Sequence, residues 1–224
     1  DLDTLLIVRN EVLKNPKLLI ALRRHILKLI PELYKIDPLQ HHEFIITTEM
    51  SILNSRRIFL PIETLKNSKS LFNKKNIVVT NRRSRQGSLE TIYSLKNLFK
   101  NSLEKGYMDH HKKDNIPLED KFKNLNCMYQ LKYFLGCIIN LPTYYYDAIG
   151  KPCYKGDSFN NFESLENINF KILRKASLIR EIWPKKEVFP YDGNLIPQWV
   201  CEILGENYFE EAYNFSLEIL KKIE

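Results

Sequence analysis

Four long segments after residue 88 repeat apolar side chains at intervals of three and four residues, and this pattern limits the fold more than any other feature. The segments are 88–103, 118–141, 159–183 and 197–223. Such spacing places apolar side chains on one face of an α-helix, and that face must be buried against another element. Four amphipathic helices joined by proline- or glycine-containing connections favour an antiparallel bundle.

The first 87 residues follow a different pattern. The apolar run 2–8 precedes a helical period that starts at Asn15-Pro16, and β-branched runs follow at 43–48 and 76–80. This order predicts a strand, a helix and further strands. We therefore predict an α+β chain with two domains. They are a mixed sheet with helices over residues 1–87 and an antiparallel helical bundle over 88–224.

Composition and charge limit the partners. Hydrophobic residues make up 44% of the chain, and 34 Lys and Arg face 27 Asp and Glu, for a net charge of +7. This excess favours an anionic partner. No apolar run reaches the roughly 18 residues of a membrane span, so we expect no membrane association and a cytoplasmic location. The scattered cysteines predict buried, reduced thiols at Cys127, Cys137, Cys153 and Cys201.

Three carboxylates are the strongest candidates for chemistry. Asp1 and Asp3 precede the first apolar run, and residues at i and i+2 of a strand share one face. Glu43 begins the second predicted strand, which is expected to lie beside the first. Carboxylate oxygens are preferred ligands of Mg²⁺, and like charges held together are stabilised by a cation. The pattern predicts a Mg²⁺ site at Asp1, Asp3 and Glu43 that acts in phosphoryl transfer.

The segments Asp1–Val8 and His41–Ile46, with the helix between them, resemble the core of the DNA polymerase β-type nucleotidyltransferase superfamily. In that superfamily a Gly-Ser turn precedes a D-x-D strand, and a third carboxylate lies on a following strand. The Gly-Ser turn is not in this sequence, and Glu43 stands where Asp is commoner. The resemblance implies a nucleotidyltransferase-like fold, Mg²⁺, and an NTP substrate, with Asp1, Asp3 and Glu43 as catalytic metal ligands.

The second half resembles the helical domain of bacterial stand-alone nucleotidyltransferases. The resemblance lies in Tyr154–Phe159 and in the following helices, which end with the segment 209–220. This resemblance implies that Lys155 and Ser158 contact the nucleotide triphosphate, with Lys132 as a further candidate. An alternative role for Ser158 is to cap a helix that starts at Phe159.

The predicted function is Mg²⁺-dependent transfer of a nucleoside monophosphate from an NTP to a hydroxyl acceptor. The acceptor is left open among an RNA or tRNA end, a small molecule and a protein side chain, although the basic segment 74–85 favours RNA. Two alternatives give the three carboxylates either no role or a different one. One is a non-catalytic nucleic-acid- or protein-binding module of a toxin–antitoxin or defence pair, and the other is a metal-dependent nuclease. Formation of a homodimer is also open.

Overall fold

A computed structural model of the chain describes residues 4–36, 44–54, 68–70, 85–108, 127–165, 168–183 and 196–223. The chain divides into two units, which are Asp1–Arg82 (unit 1) and Arg83–Glu224 (unit 2). The first helix of unit 2 begins at Arg85, so the boundary predicted after residue 87 falls three residues inside that helix. The strand predicted at 76–80 lies outside the described residues.

Unit 1 contains a strand–helix–strand arrangement, as predicted. Its elements are β1 (Thr4–Val8), α1 (Asn10–Leu13), α2 (Pro16–Ile36), β2 (Phe44–Thr48) and α3 (Glu49–Asn54). The two strands pair in parallel, with a register that runs from Thr4↔Phe44 to Val8↔Thr48. Parallel strands need a long crossover connection, and α1 and α2 supply it. Both strands therefore begin at the same edge of this small sheet.

The start of α2 follows from Asn15 and Pro16. The side-chain oxygen of Asn15 accepts hydrogen bonds from the backbone N–H groups of Lys17 and Leu18, at 3.1 and 3.3 Å. This satisfies two N–H donors that the helix itself leaves unpaired. The first helical position tolerates proline, because the N–H that proline lacks would have no partner there. The predicted helix start at Asn15-Pro16 is confirmed.

The described part of unit 2 is helical throughout its regular structure. Its elements are α4 (Arg85–Lys105), α5 (Met128–Ala148), α6 (Lys155–Glu163), α7 (Lys171–Ile182), α8 (Gln198–Leu204) and α9 (Tyr208–Ile223). The single helices predicted at 159–183 and 197–223 are therefore wrong, because each segment holds two helices. Gly205 causes the second break, since its φ of +72° is favourable only for glycine and ends α8.

The core of unit 2 is built around α5, whose side chains are buried on almost every side. The ring of Phe134 packs edge-on against the rings of Phe99 and Phe209, with centroids 5.1 and 5.3 Å apart. Further along the core, Phe162 packs against Phe215 in the same way. Despite this apolar character, none of the described helices combines the length and hydropathy that a bilayer span requires.

The helix α5 is longer at its C-terminal end than the sequence predicts. The prediction ended at Leu141 because Pro142 lacks an N–H donor, yet the helix continues through Pro142 to Ala148. The extension brings Tyr144, Tyr145 and Tyr146 into the interior, each less than a tenth exposed. They are packing residues of the interior.

The cysteines only partly match their prediction. All four are free thiols, and Cys127 and Cys137 are buried. Cys153 is only half-buried, and Cys201 is exposed on α8. The expectation of a buried thiol is therefore wrong for Cys201, because its position falls on the outer side of a short helix.

Candidate functional site

The beginning of the two-stranded sheet is the first candidate site. Asp1, Asp3 and Glu43 themselves lie outside the described residues. The described register starts with the pair Thr4↔Phe44, and these two residues directly follow Asp3 and Glu43 in the sequence. The pairing is the arrangement that a metal site shared between two neighbouring strands requires.

Within the residues that the structure describes, no three His, Cys, Asp or Glu side chains group closely enough to hold a metal ion. The described acids of unit 1 are Glu11, Glu32 and Glu49, on three different helices. The predicted ligands Asp1, Asp3 and Glu43 are carboxylates, and carboxylate oxygens are preferred ligands of a hard divalent cation such as Mg²⁺.

The predicted nucleotide contacts Lys155 and Ser158 lie on the first turn of α6. The hydroxyl of Ser158 is fully buried and donates to the backbone carbonyl of Lys155 at 2.7 Å. It also lies 3.3 Å from the hydroxyl of Thr143 on α5. These contacts join α6 to α5 in the interior. Ser158 does not cap a helix that starts at Phe159, because α6 begins at Lys155 and its N-cap is Tyr154.

Lys155 also influences a buried thiol. Burial raises the pKa of Cys137 to about 12, although a hydrogen bond with Tyr133 and the positive charge of Lys155 both act in the opposite direction. The thiol therefore stays protonated at neutral pH, and Cys137 cannot serve as a thiolate nucleophile. Lys155 remains half-buried, so of the three predicted nucleotide contacts it is the most accessible.

Lys132 lies in the interior of unit 2, only 2% exposed, on α5. It is eleven positions from Thr143, which separates their Cα atoms by about 16 Å along the helix axis. A lysine is rarely buried unless its charge is compensated. The prediction that Lys132 contacts a nucleotide stays a prediction. Its burial places the Lys132 side chain in the core of unit 2.

The sequence analysis did not single out Gln130, which lies one turn before Phe134 on α5. Its side chain is fully buried, and among the described residues neither its amide oxygen nor its amide nitrogen has a hydrogen-bond partner. The hydroxyl of Ser88 on α4 is likewise buried and has no hydrogen-bond partner among the described residues. Unpaired buried polar groups are unusual in folded proteins. The available signal was a glutamine and a lysine, Gln130 and Lys132, in the first turns of a largely apolar helix.

An open groove lies along the first turns of α7. Apolar and cationic side chains share it, with the ring of Phe170 stacked 4.6 Å from the guanidinium of Arg174. Its lining residues are Ile168, Asn169, Phe170, Lys171, Arg174, Lys175 and Leu178. Arg174 pairs with Glu163 at 3.1 Å, and Lys175 and Lys171 pair with Glu211 at 2.7 and 3.1 Å. The neighbouring acids offset these cations, so the groove has little charge with which to attract an anion.

The comparisons with known proteins add no relative. No protein-family model, no curated protein and no solved structure matches the chain. The residues, the register of the sheet and the charge distribution therefore carry the functional argument.

Proposed function

We propose that the chain is a Mg²⁺-dependent nucleotidyltransferase that transfers a nucleoside monophosphate from an NTP to a hydroxyl acceptor and releases pyrophosphate. One observation carries the proposal: β1 and β2 pair in parallel from Thr4↔Phe44 onward, directly after Asp3 and Glu43. The proposal requires this pairing to continue by one residue, to Asp3 and Glu43, and the extended conformation of β1 to continue back to Asp1. Asp1, Asp3 and Glu43 would then share one face of the sheet, because residues at i and i+2 and direct cross-strand neighbours point the same way.

The three carboxylates fit the chemistry of such a site. Their oxygens are hard ligands, and Mg²⁺ bound there supplies charge neutralisation for a triphosphate. Asp1 and Asp3 would hold the cation and orient the nucleotide. Glu43 would complete the ligand set and accept the proton from the attacking hydroxyl. Phosphoryl transfer needs little covalent help from a protein, so positioning and charge neutralisation are sufficient to accelerate it.

The proposal is tested by isothermal titration of each of the four NTPs into the chain, with Mg²⁺ and with EDTA. Three variants are compared with the wild type: Asp3→Asn, Glu43→Gln and the matched control Glu49→Gln. Glu49 is an exposed carboxylate at the start of α3, just after the far end of β2. We expect binding that requires Mg²⁺, is lost in Asp3→Asn and Glu43→Gln, and is retained in Glu49→Gln.

Two results would overturn the proposal. The first is that no NTP binds, or that binding is the same with EDTA. The second is that all three variants bind equally. Far-UV circular dichroism of each variant confirms that the fold is retained. Cleavage of RNA by the chain with Mg²⁺ and without NTP would favour the nuclease hypothesis instead.

A further inference from the structure

A row of four cations runs along one side of α2. Successive residues of an α-helix are turned by about 100°, so positions that differ by 7, 11 and 18 fall within an arc of about 40°. They span about 27 Å along the helix axis, at 1.5 Å per residue. These residues, here called the α2 cationic row, are Lys17, Arg24, Lys28 and Lys35, and all are exposed.

Acidic side chains among the described residues compensate little of the positive charge of the α2 cationic row. Glu32 is the acidic residue of α2, and it pairs with Lys35 at 2.7 Å. Among the described residues, Lys17, Arg24 and Lys28 make no ion pair. Arg24 and Lys28 are four residues apart, a spacing at which like charges destabilise a helix. A row of this kind costs stability unless an anion binds it.

The positive charge is concentrated in the unit that carries the row. The described residues of unit 1 hold eight Lys and Arg against three Glu. The described residues of unit 2 hold thirteen Lys and Arg against eleven acids, which is close to balance. The difference favours unit 1 as the part of the chain that meets a polyanion.

From this geometry we infer that the α2 cationic row binds the phosphate backbone of a nucleic acid strand. A linear polyanion matches a linear set of point charges, and backbone contacts by Lys and Arg supply most of the sequence-independent affinity of such complexes. A protein partner fits less well, since protein interfaces have an apolar centre and are depleted in lysine. The arc of the row contains no apolar residue.

An anionic membrane is also less suited to this helix. A helix that lies on a bilayer inserts a continuous apolar face. On α2 the centre of that face is Leu22, Ile26 and Leu33, which are half-buried or buried within the fold. Exposed leucines and isoleucines flank this centre, but the row itself lies outside the apolar face.

This inference goes beyond the proposed function and does not depend on it, because binding through the row involves neither Mg²⁺ nor the predicted catalytic carboxylates. The test is therefore run in EDTA without NTP. Fluorescence anisotropy of a labelled single-stranded RNA of about 20 nucleotides is measured between about 50 and 300 mM NaCl. The slope of log affinity against log salt counts the phosphates that the protein neutralises.

Adjacent arginines supply a matched pair of variants. Arg23 and Arg24 are both exposed and unpaired in the described structure, but they point about 100° apart. We expect Arg24→Gln to weaken binding and lower the salt slope, and Arg23→Gln to change both much less. The triple variant K17Q/R24Q/K28Q is expected to lose more than about tenfold in affinity at 0.1 M salt and about two units of slope. Its charge-matched control is R9Q/R23Q/K69Q, three exposed cations outside the row.

Three results would overturn the inference. One is that RNA does not bind at about 50 mM salt. Another is that the two triple variants lose the same affinity, which would assign binding to net charge alone. The last is that phosphatidylserine vesicles or a polyglutamate peptide bind more tightly than RNA and show the same dependence on Arg24. Far-UV circular dichroism of both triple variants is measured as a check on folding, and we expect the wild-type helix content.

Discussion

The two units differ in how much apolar surface they bury. Among the side chains described in unit 1, only Val8 and Leu33 are buried, whereas unit 2 buries Phe99, Phe134, Phe162 and Phe215 almost completely. Unit 1 instead exposes apolar side chains along α2, including Ile20 and Leu27 at more than half of their area. Two parallel strands and their crossover helix have more apolar faces than they can cover. Among the described residues, unit 2 therefore holds the larger apolar core, and we expect it to be the more stable unit.

Truncating one ring in the core of unit 2 gives the largest expected difference between the units. Phe134 is 1% exposed and its ring meets three other aromatic rings, so Phe134→Ala should lower the free energy of unfolding by about 3–5 kcal/mol. Leu27→Ala, at a side chain that is 55% exposed, should change it by less than about 0.5 kcal/mol. Urea denaturation followed by far-UV circular dichroism measures both.

Tryptophan fluorescence isolates the effect on unit 2, because both tryptophans of the chain, Trp183 and Trp199, belong to it. Tyr93→Ala is the control, since this aromatic side chain on α4 is exposed. A loss below about 1 kcal/mol for Phe134→Ala would contradict the assignment of the stable core to unit 2.

Two ion pairs of equal length, one in each unit, should differ less in their contributions to the unfolding free energy. The pair Lys175–Glu211 in unit 2 and the pair Lys35–Glu32 in unit 1 both measure 2.7 Å. The first is mostly buried and Lys175 also donates to the carbonyl of Leu204 at the end of α8, while the second is largely exposed. Lys175→Met should lower the unfolding free energy by about 1–3 kcal/mol, and Lys35→Met by less than about 0.5 kcal/mol. Equal losses in urea denaturation would show that burial does not distinguish the pairs.

Low pH should destabilise unit 2 through Glu211. This is the smallest of the three expected effects on the unfolding free energy. Burial raises the pKa of Glu211, but hydrogen bonds from Lys175 and Lys171 outweigh burial and hold the pKa below its ordinary value. Because the unfolded chain takes up this proton first, the contribution of Glu211 is present at neutral pH and is lost as the pH falls below about 4.3 toward the folded-state pKa.

The measurement compares wild type with Glu211→Gln, by urea denaturation followed by tryptophan fluorescence, between pH 7 and pH 3. The difference in unfolding free energy should shrink as the pH falls. Glu202→Gln, at an exposed acid on α8, is the matched control. A Glu211→Gln difference that stays constant with pH would show that the carboxylate charge does not stabilise the fold.

Much of the fold follows from local patterns in the sequence. Short apolar runs with β-branched residues locate β1 and β2, and Asn15-Pro16 locates the start of α2, because these signals act through neighbouring residues. The break at Gly205 and the continuation of α5 through Pro142 were missed. The apolar period of three and four runs unchanged across Gly205, and tertiary packing keeps Pro142 within a buried helix.

Less of the candidate site than of the fold could be predicted from local sequence patterns. The pattern D-x-D before a strand selects Asp1 and Asp3 by local geometry, and Glu43 by the expected strand pairing. Burial of Lys132 and Ser158 depends on helices that pack from distant parts of the chain, which residue types do not reveal. The α2 cationic row was in principle visible as a helical period in charge, but the analysis of α2 followed its apolar period.

The parallel pairing of β1 and β2 also has a consequence for synthesis. Thr4 and its partner Phe44 are forty residues apart, so β1 is made well before the strand that satisfies its backbone. At about 5–20 residues per second, the Leu-Leu-Ile-Val segment of β1 waits about 2–8 s on the ribosome with an unpaired edge. During this interval it has the properties of an aggregation-prone strand, and the two cations Arg9 and Lys14 that follow it help to keep such nascent chains apart.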